Sequence, residues 1–392
     1  MNVKELNSTI FDIVKHRFWR DIRHRQTFAW MVSALIVLKS ISINGWSSIV
    51  QSRAEQAASH ERRFIRWLEN DRIVVNELYS PIIQEALKSW GENTLRLALD
   101  TSMIFEEFCL IRISVIYRGR AVTLVQKVIK HASAMVSFET YKELLEEAAK
   151  LVPINIKIIF TADRGFLDKK LMEYLDKELG WTYLIRVKKN IKVKCPGQKR
   201  SKKIGSIGIE RGQAIFWQGV YLTGEEIGPV YLAMGRPSLK GEAWYLVSNE
   251  PVGEKSFKEY SLRFDIEEEF LDDKSNGFQL EDSKLRDAKV LTRLLMVVAI
   301  ATLYLVTQGI EVVKEGKRRV VDSHWFRGMS YLKIGWAWIR RALAGVKECV
   351  IITCVRLIGG ADPEPARASK KEKPKKHFCM FETKYFHSLE TG

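Results

Sequence analysis

The stretch Leu95-Arg96-Leu97-Ala98-Leu99-Asp100 alternates leucines with other residues and ends on an acid. This period of two predicts a β-strand with Asp100 at its end. Two more strands are predicted directly after it, at 111–116 and 121–128, separated by the turn Arg118-Gly119-Arg120. Three strands therefore follow one another without an intervening helix.

The pattern then changes to strands that alternate with helices. Apolar residues at helical spacing predict helices at 138–150 and 166–179, and alternation predicts strands at 154–158 and 183–187. The strand at 154–158 leads to Asp163. A β-β-β-α-β-α-β series of this kind indicates a sheet that mixes antiparallel and parallel pairs, with helices packed on it, which is an α/β architecture.

The segments on either side differ in composition from this α/β unit. The start of the chain is helical and basic, and its three short helices with an Arg-rich third predict either a helix-turn-helix DNA reader or a plain helical bundle. The end is basic and aromatic, with Trp325, Trp336 and Trp338 among lysines and arginines. The predicted domains are a helical DNA-binding domain at 1–92, the first part of the core at 93–187, a β-rich insertion at 188–251, helices that complete the core at 252–308, and a basic C-terminal region at 309–392 whose stretch 366–376 is a flexible tail.

Charge and cysteine content narrow the function classes. The 392 residues carry 63 Lys and Arg against 47 Asp and Glu, a formal charge of +16. Such an excess favours a polyanionic partner, with nucleic acid first and an anionic membrane surface second. Five cysteines without a CxxC pair argue against a disulfide scaffold or a zinc site.

Membrane insertion and export are not indicated. The longest apolar run, Leu294 to Val306, has 13 residues, which is short of the about 18 needed to span a bilayer. It predicts a buried core helix instead. The first residues show no apolar stretch after their charges, so we expect a protein of the cytoplasm, associated with the nucleoid and without membrane contact.

Two acids at strand ends suggest the chemistry. Carboxylates that converge at one edge of a sheet form a hard oxygen site suited to Mg²⁺ or Mn²⁺. Two such ions about 4 Å apart can drive in-line phosphoryl transfer. Taken singly, Asp100 and Asp163 are each more typical of turn or cap residues than of a metal site.

A third acid lies in a stretch with a regular spacing. Two, three and six residues lie between successive members of the series Tyr260, Arg263, Glu267 and Lys274. One continuous helix would place all four on a stripe about 60° wide, where a carboxylate, a phenol and two cations could bind metal and phosphate side by side. The alternative is an exposed helix with ordinary ion pairs.

The same spacing matches the Y-(2)-R-(3)-E-(6)-K signature, and the chain resembles the DDE transposases of the insertion-sequence family four. The resemblance implies an RNase H-like catalytic core with an inserted β-rich subdomain, preceded by an all-α N-terminal domain and followed by a helical C-terminal region. Further matches occur in the family's order at Leu99-Asp100-Thr101-Ser102, Ala162-Asp163-Arg164-Gly165-Phe166, 244–252 and, more weakly, 330–335.

The resemblance also implies roles for single residues. Asp100, Asp163 and Glu267 would be the catalytic and metal-binding triad for two Mg²⁺ or Mn²⁺ ions, and the spacing selects Glu267 over Glu268 and Glu269. The DNA phosphates near the transposon end would be contacted by Tyr260, Arg263 and Lys274.

An aromatic pair is implied to contact a DNA base. Trp244 matches a residue that in relatives stacks on a base flipped out of the duplex while a hairpin forms, and Phe264 stands where some relatives carry a second Trp. The alternative for Trp244 is a core aromatic of the β-rich insertion. A basic stretch nearby, Arg186 to Lys203, predicts either a phosphate-tracking arm or a solvated loop.

The resemblance implies a transposase that performs cut-and-paste transposition. Its partners would be double-stranded DNA with terminal inverted repeats, target DNA, and a second copy of the chain that pairs two ends. The alternatives are an RNase H-like nuclease of repair or resolution, a DNA-binding regulator without activity and, from charge alone, a membrane-surface protein.

Overall fold

A computed structural model describes residues 1–15, 19, 21–52, 54–196, 198–223, 227–238, 241–274, 277–367 and, as backbone, 385–389. Most of the predicted tail at 366–376 lies outside these ranges. Five helices come first: α1 (Val3–Ile13), α2 (Ile22–Leu38), α3 (Ile43–Trp46), α4 (Ala57–Glu69) and α5 (Val75–Leu87).

The middle of the chain alternates strands and helices. In order, it forms β1 (Thr94–Ile104), β2 (Phe108–Tyr117), β3 (Arg120–Lys130), α6 (Phe138–Leu151), β4 (Lys157–Ala162), α7 (Lys169–Glu173), β5 (Thr182–Arg186), β6 (Lys192–Lys194), β7 (Lys202–Lys203), β8 (Gln213–Leu222), β9 (Ile227–Gly235) and β10 (Trp244–Ser248). The last elements are α8 (Glu254–Ser261), α9 (Phe264–Asp273), α10 (Ala288–Lys314), α11 (Tyr331–Leu343) and β11 (Tyr385–Leu389).

Within the described residues, eleven strands form one mixed sheet in the order β3-β2-β1-β4-β5-β10-β9-β8-β6-β7, with β11 beside β8. The first three strands are antiparallel, and β4 and β5 run parallel to β1. The predicted α/β class with antiparallel and parallel pairs is therefore confirmed. The strands after β5 extend the same sheet, because β10 pairs antiparallel with β5.

Strand β1 is longer than predicted. Asp100 does not close the strand but lies inside it, since β1 continues to Ile104. The parallel ladder with β4 stops at the pair Leu99–Ala162, whereas the antiparallel ladder with β2 continues to Ile104–Phe108. A hairpin partner thus keeps β1 extended after its other neighbour has ended.

The sequence predicts a helical segment from Pro251 to Gln308. The structure corrects this prediction, because the segment is interrupted. Helix α9 ends at Asp273, and α10 begins only at Ala288. Gln279 and Lys284 adopt left-handed backbone angles, with φ of 59° and 57°, and such angles cannot continue a right-handed helix. The side chain of Asp287 then accepts hydrogen bonds from the first backbone N–H groups of α10.

Helix α10 is the central helix of the molecule. It is long and apolar enough to cross a membrane, but 94% of its most apolar window is buried inside the protein, so the predicted core helix is confirmed. Helix α11 crosses it at backbone contact distance: a Cβ atom on Gly309 would lie 1.9 Å from the Tyr331 carbonyl oxygen. Only glycine fits at this crossing.

Candidate active site

The sheet brings two predicted acids together. Leu99 on β1 pairs with Ala162 on β4 in the parallel register, so Asp100 and Asp163 are the next residues along two adjacent strands. Parallel neighbouring strands lie about 4.8 Å apart. The convergence expected at this edge therefore follows from strand register alone.

The signature residues lie on two helices rather than on one continuous helix, which corrects the prediction. Helix α8 ends at Ser261, and α9 begins at Phe264. At the break, the N–H of Arg263 donates to the Tyr260 carbonyl and that of Asp265 to the Leu262 carbonyl. These are i to i+3 bonds, tighter than those of an α-helix, and Arg263 is buried at this point.

Arg263 and Tyr260 together link the three acids into one group. Its Nη1 donates to Asp100 Oδ2 at 2.8 Å and its Nη2 to Glu267 Oε1 at 2.5 Å. The hydroxyl of Tyr260 lies 3.4 Å from Asp163 Oδ1. We call these five residues, Asp100, Asp163, Glu267, Tyr260 and Arg263, the acidic cluster.

The cluster is electrostatically unusual. Burial raises the pKa of Asp100, and the charge of Arg263 opposes this only in part. Burial would lower the pKa of Arg263, but Tyr260 and the acids around it outweigh this effect and raise the pKa. A buried carboxylate with a raised pKa, lying beside an arginine that is always charged, is typical of a functional site.

A groove of about 790 Å³ opens beside Glu267. Its walls come from distant parts of the chain: the β2–β3 turn, the end of β5, α9 and the segment before α11. Four arginines line it, namely Arg118, Arg120, Arg186 and Arg327. The sequence analysis named only the Arg118-Gly119-Arg120 turn and Arg186, as turn and arm residues, and missed Arg327, because their convergence depends on the tertiary fold.

The family model for the transposase DDE domain matches residues 108–304, just over half of the chain. The chain belongs to the transposase DDE domain family. The matched range contains Asp163 and Glu267, while Asp100 lies eight residues before its first residue. This DDE transposase matches no curated protein.

Two solved structures share distant similarity with this transposase. One is the piggyBac transposase synaptic complex with hairpin DNA, at 12% identity and a TM-score of 0.41, with 95% of this chain and 86% of that chain covered. The other is Argonaute of Marinitoga piezophila with 5′ OH guide RNA and target DNA, at 9% identity and a TM-score of 0.24, with 57% and 33% covered. At these scores neither likeness supports an argument about function.

The acidic cluster has the donor chemistry of a divalent-metal site. Its carboxylate oxygens are the hard ligands that Mg²⁺ and Mn²⁺ prefer. Among the described residues, no three acid, His or Cys side chains stand close enough to hold an ion as placed. Asp100 and Glu267 each pair with a different nitrogen of the Arg263 guanidinium, so a positive charge lies between these two carboxylates.

Of the other predicted contacts of this transposase, Trp244 and Phe264 line the same groove as Glu267. Lys274 is just beyond α9, and its Nζ donates to the Met103 carbonyl at 2.5 Å. Trp244 packs against Phe264 and Tyr260, with ring centroids 5.8 and 5.6 Å away. With 3% of its surface exposed, Trp244 is a core aromatic in this conformation.

A second group of charges fixes the opposite side of α9. Arg112 Nη2 lies 2.6 Å from Asp273 Oδ2, and its Nη1 lies 3.5 Å from Glu269 Oε1. Ser114 and Thr123 each donate to Glu269 at 2.7 Å. We call Arg112, Glu269 and Asp273 the buried anchor. The sequence analysis missed it, although an arginine inside an apolar strand was a signal.

Further cations lie on the surface of the transposase. Arg62 and Arg66 on α4 are exposed, while Phe64 and Trp67 of the same helix are buried. In the basic stretch, Lys188, Lys189 and Lys192 are exposed. These positions leave both regions accessible, and their contact with DNA stays a prediction.

Proposed function

We propose that this DDE transposase catalyses cut-and-paste transposition of an insertion sequence of family four. The observation that carries the proposal is the acidic cluster: Arg263 and Tyr260 link acids from β1, from just after β4 and from α9. One of these acids, Glu267, lines the groove together with four arginines. We also propose that β1 to β5 with α6 and α9 form an RNase H-like core, with 188–251 as its insertion.

The acids would hold two Mg²⁺ or Mn²⁺ ions through Asp100, Asp163 and Glu267. Bound ions would activate the attacking oxygen and stabilise the leaving oxygen of an in-line phosphoryl transfer. The chain itself would hold the carboxylates in register on adjacent strands. Hydrolysis would free a 3′-hydroxyl, which would then attack the opposite strand or target DNA.

The cations would bind the phosphodiester backbone. Tyr260 and Arg263 lie within the acidic cluster, where they would contact the phosphates next to the scissile bond. The four groove arginines would neutralise further phosphates, and Lys274 would contact the strand that passes the end of α9. Each phosphate contact releases counterions, so we expect binding to weaken steeply with salt.

A hairpin intermediate would require Trp244 to be uncovered. Its ring is packed against Phe264 and Tyr260, so a flipped base could reach it only after these side chains separate. We propose that Trp244 and Phe264 part when DNA binds, that two copies of the chain pair two DNA ends, and that the protein works at the nucleoid in the cytoplasm.

The test uses purified protein, Mg²⁺ and duplexes made from the genomic DNA that flanks the gene. Wild-type protein should cut at the ends of inverted repeats and join them to target DNA. Asp100→Asn should lower the cutting rate by at least about a thousandfold, while its affinity for the ends stays within about threefold.

Three results would contradict the proposal. If D100N cut DNA as fast as the wild type, the acids would have no part in the reaction. Binding by the wild type without cutting, in Mg²⁺ and in Mn²⁺, would favour the regulator without activity. Cutting that ignores the terminal repeats would favour the repair nuclease.

A further inference from the structure

An exposed aromatic pair lies on a short loop before α11. Residues 323–326 are all exposed, whereas Asp322 and Arg327 on either side are buried. Trp325 is 75% exposed and Phe326 is 47% exposed. Large aromatic side chains that face solvent side by side are uncommon on a folded surface and typically mark a binding site.

The loop that carries the two rings is held firmly. Arg318 donates to the carbonyl oxygens of His324 at 2.9 Å and of Trp325 at 3.2 Å. Asp322 accepts from the backbone N–H of His324 and of Gly328, both at 3.1 Å. The rings are therefore presented on a backbone fixed at both ends, so little loop entropy is lost on binding.

The chemistry of the pair suits a nucleic acid. The guanidinium of Arg319 lies 4.8 Å from the ring centre of Trp325, and that of Arg367 lies 3.8 Å from that of Phe326. We call these four residues the aromatic platform. Aromatic rings stack on bases, and arginines packed over such rings bind phosphates, which is the combination used for single-stranded DNA.

The position of the aromatic platform connects it to the groove. Arg327, Gly328 and Met329, which follow Phe326 directly, line the groove beside Glu267, and so does Ala366, the neighbour of Arg367. A strand that leaves the groove on this side would pass the exposed rings. Trp244, by contrast, is covered by its neighbours.

We propose that the aromatic platform binds unpaired nucleobases of the DNA strand that leaves the groove. This inference rests on the proposed function for the identity of the DNA, but base binding itself needs neither metal nor cleavage. The alternative occupant of the aromatic platform is a second copy of this chain, which would cover the apolar surface of the two rings. The arginines over both rings and the net charge of +16 favour a polyanion instead.

The experiment compares two probes with equal numbers of phosphates, without metal. One is a single strand of about ten thymidines, and the other is the same strand made of abasic sites. Wild-type protein should prefer the strand with bases by about tenfold, since stacking on aromatic side chains adds affinity that an abasic strand lacks. W325A/F326A should bind both strands equally, and W325Y/F326Y should keep the preference.

Control variants show whether a lost preference comes from lost stacking, from unfolding, or from the loss of any exposed apolar side chain. I154A/V350A removes two other exposed apolar side chains and should keep the preference. The thermal midpoint of W325A/F326A should equal that of the wild type, because neither ring is buried. E267Q should lose DNA cutting but keep the preference, so failure of the proposed function and failure of the platform give different results.

Three outcomes would overturn the inference. The first is a wild-type protein that binds both strands equally. The second is a preference that survives in W325A/F326A. The third is a double variant that changes from dimer to monomer in sedimentation while its preference stays intact, which would assign the platform to contact between copies.

Discussion

The two sides of helix α9 carry similar groups in opposite settings. On the groove side, Arg263 lies between Asp100 and Glu267. On the sheet side, Arg112 lies between Glu269 and Asp273. Each group has one arginine and two ion-paired carboxylates, and the two groups share the same helix.

Solvent access and pairing distinguish the two groups. Glu267 has 49% of its side chain exposed, against 3% for Glu269. Both oxygens of Glu269 accept hydrogen bonds from hydroxyls of β2 and β3, whereas Glu267 has one oxygen on Arg263 and faces the groove. The comparison indicates that the buried anchor holds α9 in place, so that Glu267 can face a ligand.

The largest effect is expected from Glu267→Gln, which keeps the shape but removes the charge. DNA cutting should fall by at least about a thousandfold, because one of the three proposed metal ligands is lost. The free energy of unfolding should change by less than about 0.5 kcal/mol, since the side chain is half exposed. A urea titration together with a cutting assay measures both, and a large loss of stability would contradict the distinction between the two sides.

Arg112→Met tests the buried anchor. Removing one partner of a buried ion group leaves Glu269 and Asp273 uncompensated, so we expect a loss of about 3–5 kcal/mol in the free energy of unfolding. Chemical denaturation measures it. R112M/E269Q/D273N should recover part of the loss, and a stable R112M protein would show that α9 is held by other contacts.

The pH dependence of stability tests Asp273. Burial raises its pKa in the folded protein to about 6, despite the attraction of Arg112. Between about pH 4 and 6 the folded state therefore binds this proton more tightly than the unfolded chain does. The protonated Asp273 stabilises the folded state fully below this window, and its stabilisation is lost as the pH rises through the window. Relative to Asp273→Asn, the wild type should lose up to about 3 kcal/mol from pH 4 to pH 7. Parallel curves for the two proteins would refute this assignment.

The smallest effect is expected from Glu268→Gln, the neighbour of both groups. Glu268 pairs with Arg120 at 3.3 Å on a half-exposed surface, and such pairs contribute about 0–1 kcal/mol. Cutting should stay within about threefold of the wild type. If E268Q lost activity as E267Q does, the spacing that selects Glu267 would be wrong.

Part of this arrangement could be predicted from local pattern. Alternation identified the strand that carries Asp100, but it placed the strand before Asp163 at 154–158, where the structure has Lys157–Ala162. The spacing of Tyr260, Arg263 and Glu267 named residues that the structure brings together. Both signals are local, because period and spacing are properties of short segments. The matching of Asp100 with Asp163 then needed only the parallel register of two strands.

The remaining features depended on tertiary contacts. The break between α8 and α9 has no Gly or Pro, and it forms where Arg263 is drawn toward two carboxylates. Trp244 and Trp325 are the same residue type in similarly aromatic segments, yet one is buried and the other exposed. No periodicity distinguishes them, because what covers a side chain comes from distant parts of the chain.

The close crossing at Gly309 links the two ends of the chain. Helix α11 lies against α10 there, and its Trp336 donates from Nε1 to the Ile36 carbonyl of α2 at 2.8 Å. Removing the chain from residue 331 onward would therefore take away a wall of the N-terminal helices. A gene shortened at this point would therefore encode N-terminal helices without one of their packing partners.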